Sequence, residues 1–276
     1  MLLMKVRLVT MNNIRTIINK EFISLKNNKS IVSILFVLPS IFSIVFPIMI
    51  LTLGTNDAII KSIAGLSAFL EVIPADLMPS NLPTVYYPIY AILNFFTLPL
   101  FLLIPVMIAN VLSSEGFIGE KENKTLEGLL YTPISIRSLV IGKILSALIP
   151  SILITWLFTL IYEIIFTTGS YFTIGNYIFL DSVWLYASLF LAPLLTILSI
   201  ALVFAISPYV GNTKSAQSIA LIIVVPIMAM LISQASGAIL LKRSIILFII
   251  ALLFVIDFIV VAILIKRFNI EKYILS

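Results

Sequence analysis

Six stretches of this chain, each about 20 residues or longer, are almost wholly apolar, and they restrict the fold before any motif is considered. They run from Ile31 to Leu53, Pro88 to Leu112, Ile144 to Phe166, Val183 to Ile206, Ala216 to Ser236 and Ser244 to Ile265. An α-helix needs about 20 apolar residues to cross the hydrocarbon core of a bilayer. Backbone groups in hydrocarbon must all be hydrogen-bonded, so only helices or closed barrels can span. Barrel strands alternate apolar and polar residues over about 10 positions, whereas these runs are apolar on every side. Composition agrees: 61% of the 276 residues are hydrophobic and 11% are charged, against roughly 25% charged in a soluble domain. The expected fold class is therefore an all-α integral membrane protein with six transmembrane helices in a single domain. The first run exceeds the apolar core of about 7–15 residues found in a signal peptide, and reads as an uncleaved span. Pro39, Pro47, Pro99, Pro105, Pro150, Pro193 and Pro226 lie within the runs and predict kinks rather than breaks, since neighbouring groups in a bundle satisfy the carbonyls that proline frees.

Orientation follows from the basic residues. With the N-terminus inside, all of the 17 Lys and Arg residues except Lys61, Lys242 and Arg243 fall on the cytoplasmic side. That is a strong positive-inside asymmetry. An even number of spans returns the C-terminus to the same side, so the expectation is a multi-pass cell-membrane protein with both termini cytoplasmic. The formal charge of +5 is thereby accounted for by topology, and no nucleic acid is expected as partner. The chain has no Cys and no His. This removes disulfides, thiolate and imidazole metal sites, and His-based catalysis.

Three segments lie outside the spans. Residues 12–27 place Ile14, Ile18, Phe22 and Leu25 on one helical face and Arg15, Asn19, Lys20 and Lys26 on others, the pattern of an amphipathic interfacial helix. Residues 54–87 form the outer loop, in which Ile59, Ile60, Ile63, Ala64 and Ala68 suit a short helix on the membrane. Residues 113–138 form an inner loop that concentrates charge of both signs. Thr125 caps a short helix there, Leu126, Leu129 and Leu130 give it an apolar stripe, and Pro133 ends it. Such a helix either packs on the membrane surface or docks a cytoplasmic partner.

The run Glu120-Lys121-Glu122, Thr125-Leu126-Glu127, Leu129-Leu130, Thr132-Pro133, followed by Gly142-Lys143, resembles the first cytoplasmic loop of type-2 ABC exporter permeases. The basic helix before the first span is similar to that family's connecting helix, and Lys214-Ser215-Ala216-Gln217 opens the fifth span as in the family. One departure is Lys124, where family members often carry Gly. The resemblance implies a permease subunit that pairs with a second permease, identical or paralogous, and with two cytoplasmic ABC ATPase subunits that bind ATP and Mg. It makes Glu120, Lys121, Glu122, Thr125, Leu126, Glu127, Leu129 and Leu130 the ATPase-docking segment, a cytoplasmic coupling helix. Its leucines would fill a groove on the ATPase, and its glutamates would fix register through ion pairs.

The residues support one part of this independently. A P-loop requires G-x-x-x-x-G-K-[ST]. Here Gly142-Lys143 is followed by Ile144, and Arg137 stands in the place of the first glycine. The chain is thus not expected to be an enzyme or to hold a cofactor itself. Asn94, Thr97, Gln234 and Asp257 are candidates for a polar substrate path, and equally for interhelical hydrogen bonds. An ion-coupled secondary transporter using Asp257 and Glu163 is the alternative. A non-transporting membrane scaffold is a third reading.

Overall fold

Wherever the chain is apolar for a full membrane thickness it is helical, and two of the helices run well past their apolar runs. The computed structural model describes residues 2–54, 56, 66–74, 77–79, 82–123 and 136–267. Every regular element among them is helical, and six helices are long and apolar enough to cross a membrane. α1 (Leu2–Asn27) precedes the spans. α2 (Lys29–Leu53) is the first span, and α3 (Leu66–Val72) is a short helix after it. The remaining spans are α4 (Thr84–Glu122), α5 (Ile136–Ile174), α6 (Ser182–Ile206), α7 (Thr213–Ala235) and α8 (Arg243–Arg267).

The helix ends have local causes. Asn28 caps α2, its Oδ1 accepting from the Ile31 N–H at 3.3 Å. Asn212 caps α7, accepting from the Ser215 N–H at 2.8 Å. α5 stops at Gly175, whose φ of +80° suits glycine at a helix C-terminus.

α4 is the central helix, buried along most of its length, whereas α8 packs along one edge only. Polarity explains the choice. α4 carries Asn94, Thr97, Asn110, Ser113 and Ser114, all buried, and polar groups in lipid favour the bundle interior. α4 and α5 each have 39 residues, about 58 Å at about 1.5 Å per residue, so both project beyond the hydrocarbon. This differs from the expected loop over 113–138. Its first ten residues continue α4, and α5 begins before Ile144. The apolar run ends at Leu112, but the helix does not, because its polar side chains are satisfied locally. Ser113 Oγ donates to the Ala109 carbonyl at 2.6 Å and Ser114 Oγ to Asn110 Oδ1 at 3.4 Å.

Three of the seven span prolines coincide with π turns, whereas Pro39 and Pro150 lie within continuous α-helix. Pro47, Pro99 and Pro193 lack the N–H that would bond the carbonyl four residues earlier, on Ser43, Phe95 and Leu189. Each of those residues sits inside a π turn, at Ile41–Val45, Ile92–Phe96 and Ala187–Leu191. Carbonyls exposed by the wider turns accept from side chains. Leu93 O takes the Tyr162 hydroxyl at 2.6 Å, Asn94 O takes Trp184 Nε1 at 2.8 Å, and Ser188 O takes Trp156 Nε1 at 2.8 Å.

Two short segments pack more deeply than their sequences suggest. In α3, Leu66 and Phe69 are fully buried, and Phe69 meets Phe96 edge-on at 5.1 Å between centroids. α3 thus packs against α4; the short helix expected from Ile59, Ile60, Ile63 and Ala64 lies outside the described residues. α1 packs along α5. Its Ile17 is buried where Gly142 leaves room, since a Cβ on Gly142 would come within 2.8 Å of Ile17 Cγ2. Phe22 and Ile23 remain exposed for lipid.

Candidate functional site

The end of α4 meets the first turns of α5 and α7 on one face of the bundle, the N-terminal face, where α1 packs along α5, and several charged residues gather there. Glu120 is in the last turn of α4, Lys143 is two turns into α5 and Lys20 is on α1. Glu120 accepts from both lysines, through Oε1 from Lys20 and through Oε2 from Lys143. Lys143 is 2% exposed and Glu120 8%, so this pair is desolvated and each charge depends on the other. Lys20 also bonds Glu21 at 3.2 Å. Burial acts to lower the Lys20 pKa, but the Glu120 and Glu21 carboxylates outweigh it, and the ammonium is held above its ordinary range.

Neighbouring residues of α4 reach the other helices. Glu122 Oε2 accepts from the Thr213 N–H at 2.9 Å, placing a carboxylate at the N-terminus of α7 where the helix dipole favours it. Asn110 Nδ2 donates to the Gln217 carbonyl at 3.0 Å. Lys121 Nζ donates to Val210 O at 3.5 Å, in the α6–α7 turn. One helix end is thereby tied to four other elements. A cleft of about 480 Å³ opens beside it, walled by Lys20, Glu21, Leu25, Leu112, Glu115 and Ser146.

Of the residues expected to dock an ATPase, Thr125, Leu126, Glu127, Leu129 and Leu130 lie outside the described residues. Glu122 is exposed and Lys121 half-buried. Glu120 departs from the expectation that it faces a partner. It turns inward, because the buried ammonium of Lys143 needs a counter-charge. Sequence reading missed Lys20 and Lys143 as its partners. The signal was present in Lys143, a cation abutting an apolar run, where an acidic partner is the rule.

The four polar-path candidates are spread through the bundle, and none lines this cleft. Asn94 Oδ1 accepts from the Asp181 N–H at 3.1 Å, and Thr97 Oγ1 donates to Ile92 O at 2.9 Å, so both brace the first π turn of α4. Gln234 is wholly buried on α7 and Asp257 nearly so on α8, each without a side-chain hydrogen-bond partner among the described residues. Glu163 accepts at 3.4 Å from the Leu180 N–H and from Thr167 Oγ1, which ties the α5–α6 connection together.

Five spanning helices packed with a buried sixth, and an amphipathic helix ion-tied to the end of that sixth on one face, define a multi-pass membrane protein. A family model described as ABC-2 family transporter protein matches residues 15–265, and the chain belongs to that family as its membrane component. No match was found among curated proteins or among solved structures.

Proposed function

We propose that this chain is the permease subunit of an ATP-driven exporter, forming the substrate path and taking its energy from separate ATPase subunits. The family match over residues 15–265 carries the reading. Permeases of this family work with ABC ATPases, and ATP and Mg belong to that partner. The N-terminal face is cytoplasmic, in keeping with the distribution of Lys and Arg, and both termini lie there. Residues 124–135 follow the ion-tied turn in sequence, so a push on Leu126, Leu129 and Leu130 would reach α1, α5 and α7 through Glu120 and Glu122. Lys121, Glu122, Thr125 and Glu127 flank that contact. A second permease, identical or paralogous, completes the path, with Asn94, Thr97, Gln234 and Asp257 as its polar candidates.

A charge on the docking stripe meets an apolar groove and desolvates without compensation. Leu126→Asp or Leu129→Asp is therefore expected to lower the ATPase recovered with the tagged permease by about tenfold or more, about 1.4 kcal/mol or above. Quantitative co-purification after co-expression with its ABC ATPase reads this. Wild-type recovery by both variants would remove the docking role. Efflux that persists with a hydrolysis-dead ATPase and follows a proton gradient would favour the ion-coupled alternative, which the unpartnered Asp257 supports.

A further inference from the structure

Four π turns occur among the described residues, and three of them hold the carbonyl freed by a proline four residues on. The fourth, Glu115–Gly119 near the end of α4, has no such proline. The nearest before it is Pro105, and none follows until Pro133. Backbone chemistry therefore does not require a wide turn there. A side chain that bonds a helix carbonyl competes with the α-type ladder, and here one does. Lys143 Nζ donates to the Gly116 carbonyl and to Glu120 Oε2, and lies 5.9 Å from the centre of the Phe117 ring. Gly116 and Gly119 lower the resistance of the backbone; a Cβ on Gly116 would touch nothing, while one on Gly119 would crowd Glu115 Oε2 at 3.0 Å. α-type bonding resumes at once, with Asn123 N–H to Gly119 O at 2.9 Å.

A π turn adds one residue, which rotates everything beyond it by about 100° relative to an unbroken α-helix. In the π register Glu120 faces Lys143 and Lys20, and Glu122 faces Thr213. In the α register both carboxylates would point elsewhere, and Lys143, 2% exposed, would lose its counter-charge. The turn and the ion pair hold each other.

We propose that Lys143 is a positioning residue that keeps the end of α4 in the π register through its bonds to Gly116 and Glu120, making this turn a joint that sets which way Glu120 and Glu122 point. Lys20 links the joint to α1, so displacement of α1 pulls on the same carboxylate. The register is a property of this chain alone; its use in transmission rests on the ATPase-coupled reading above.

Because the chain has no Cys, introduced thiols are unique. Two cysteine pairs in the full-length chain in membranes, joined by a short bis-methanethiosulfonate reagent that forms a disulfide with each thiol and releases methanesulfinate, read the joint. Glu122→Cys with Thr213→Cys lies beyond the turn, and Val106→Cys with Ser199→Cys lies before it, where Ser199 Oγ meets Val106 O at 3.3 Å. With Lys143→Met, crosslinking at 122–213 is expected to fall about fivefold or more while 106–199 is unchanged, and Lys143→Arg is expected to restore it. Equal crosslinking at 122–213 in Lys143→Met, with 106–199 intact, would overturn the proposal. If 106–199 is lost as well, the double variant Lys143→Met with Glu120→Leu, which leaves no uncompensated buried charge, decides by the same criterion. No ATPase enters this measurement, so its failure leaves the docking result with Leu126→Asp standing, and failure of the docking result leaves the register standing.

Discussion

Glu120→Gln is expected to lower the stability of the folded chain by about 3–5 kcal/mol, the range for removing one partner of a buried ion pair. The amide still accepts one hydrogen bond, so the loss is electrostatic. Lys143, 2% exposed, would lose its hydrogen-bonded counter-charge and be left with the Gly116 carbonyl, the face of Phe117 and the more distant Glu21 carboxylate. Burying an ammonium without a counter-ion costs several kcal/mol even after relaxation. The Lys20 tie would weaken as well, but that side chain is 46% exposed, and water compensates most of its loss. Replacing both members, Glu120→Leu with Lys143→Met, is expected to recover most of the stability, because an apolar pair of similar volume fills the site without desolvating a charge. Denaturant titration in mixed micelles compares the three chains. A double variant as unstable as Glu120→Gln would show that packing, not charge, holds this corner.

At the opposite face the largest effect belongs to Trp184→Ala, also about 3–5 kcal/mol. Trp184 is 3% exposed. It stacks on Tyr162 at 4.8 Å and meets Phe101 edge-on at 5.4 Å. Its Nε1 donates to Asn94 O, one of the carbonyls exposed by the π turn at Ile92–Phe96. Truncation opens a cavity against α4 and α5 and leaves a buried acceptor without its donor. Trp184→Phe separates the two parts: the stack persists and the acceptor is orphaned, for a loss of about 1–3 kcal/mol. A loss in Trp184→Phe equal to that in Trp184→Ala would mean that the hydrogen bond, not the stack, braces the turn.

These two sites show what could be read in advance and what could not. The six spans follow from hydropathy, because lipid leaves an apolar 20-residue run no other stable place. Three of the four π turns have a local cause in Pro47, Pro99 and Pro193, each of which removes a known hydrogen bond, although Pro39, Pro105, Pro150 and Pro226 do the same without one. The fourth is invisible locally, because its cause is Lys143, 27 residues from the carbonyl it takes. The same holds for the extent of α4. Ser113, Ser114 and Glu115 end the hydropathy signal, yet local hydrogen bonds and burial against other helices carry the helix on to Glu122. The inward turn of Glu120 was concealed for a related reason. A charge beside an apolar run reads as solvent-facing until a second charge, distant in sequence, is found buried opposite it. Trp184 and Tyr162 read as ordinary span aromatics, and only the fold shows their polar atoms meeting carbonyls of α4.

The account rests on a separate ATPase meeting the segment that follows Glu122. The most direct measurement is crosslinking from Leu129→Cys, a lone thiol in this chain, to its co-expressed ABC ATPase in intact membranes, with and without ATP. The account predicts an adduct of permease and ATPase whose yield changes when ATP is added. An adduct that fails to form from residue 129, in membranes where the ATPase is present and the permease is folded, would contradict it.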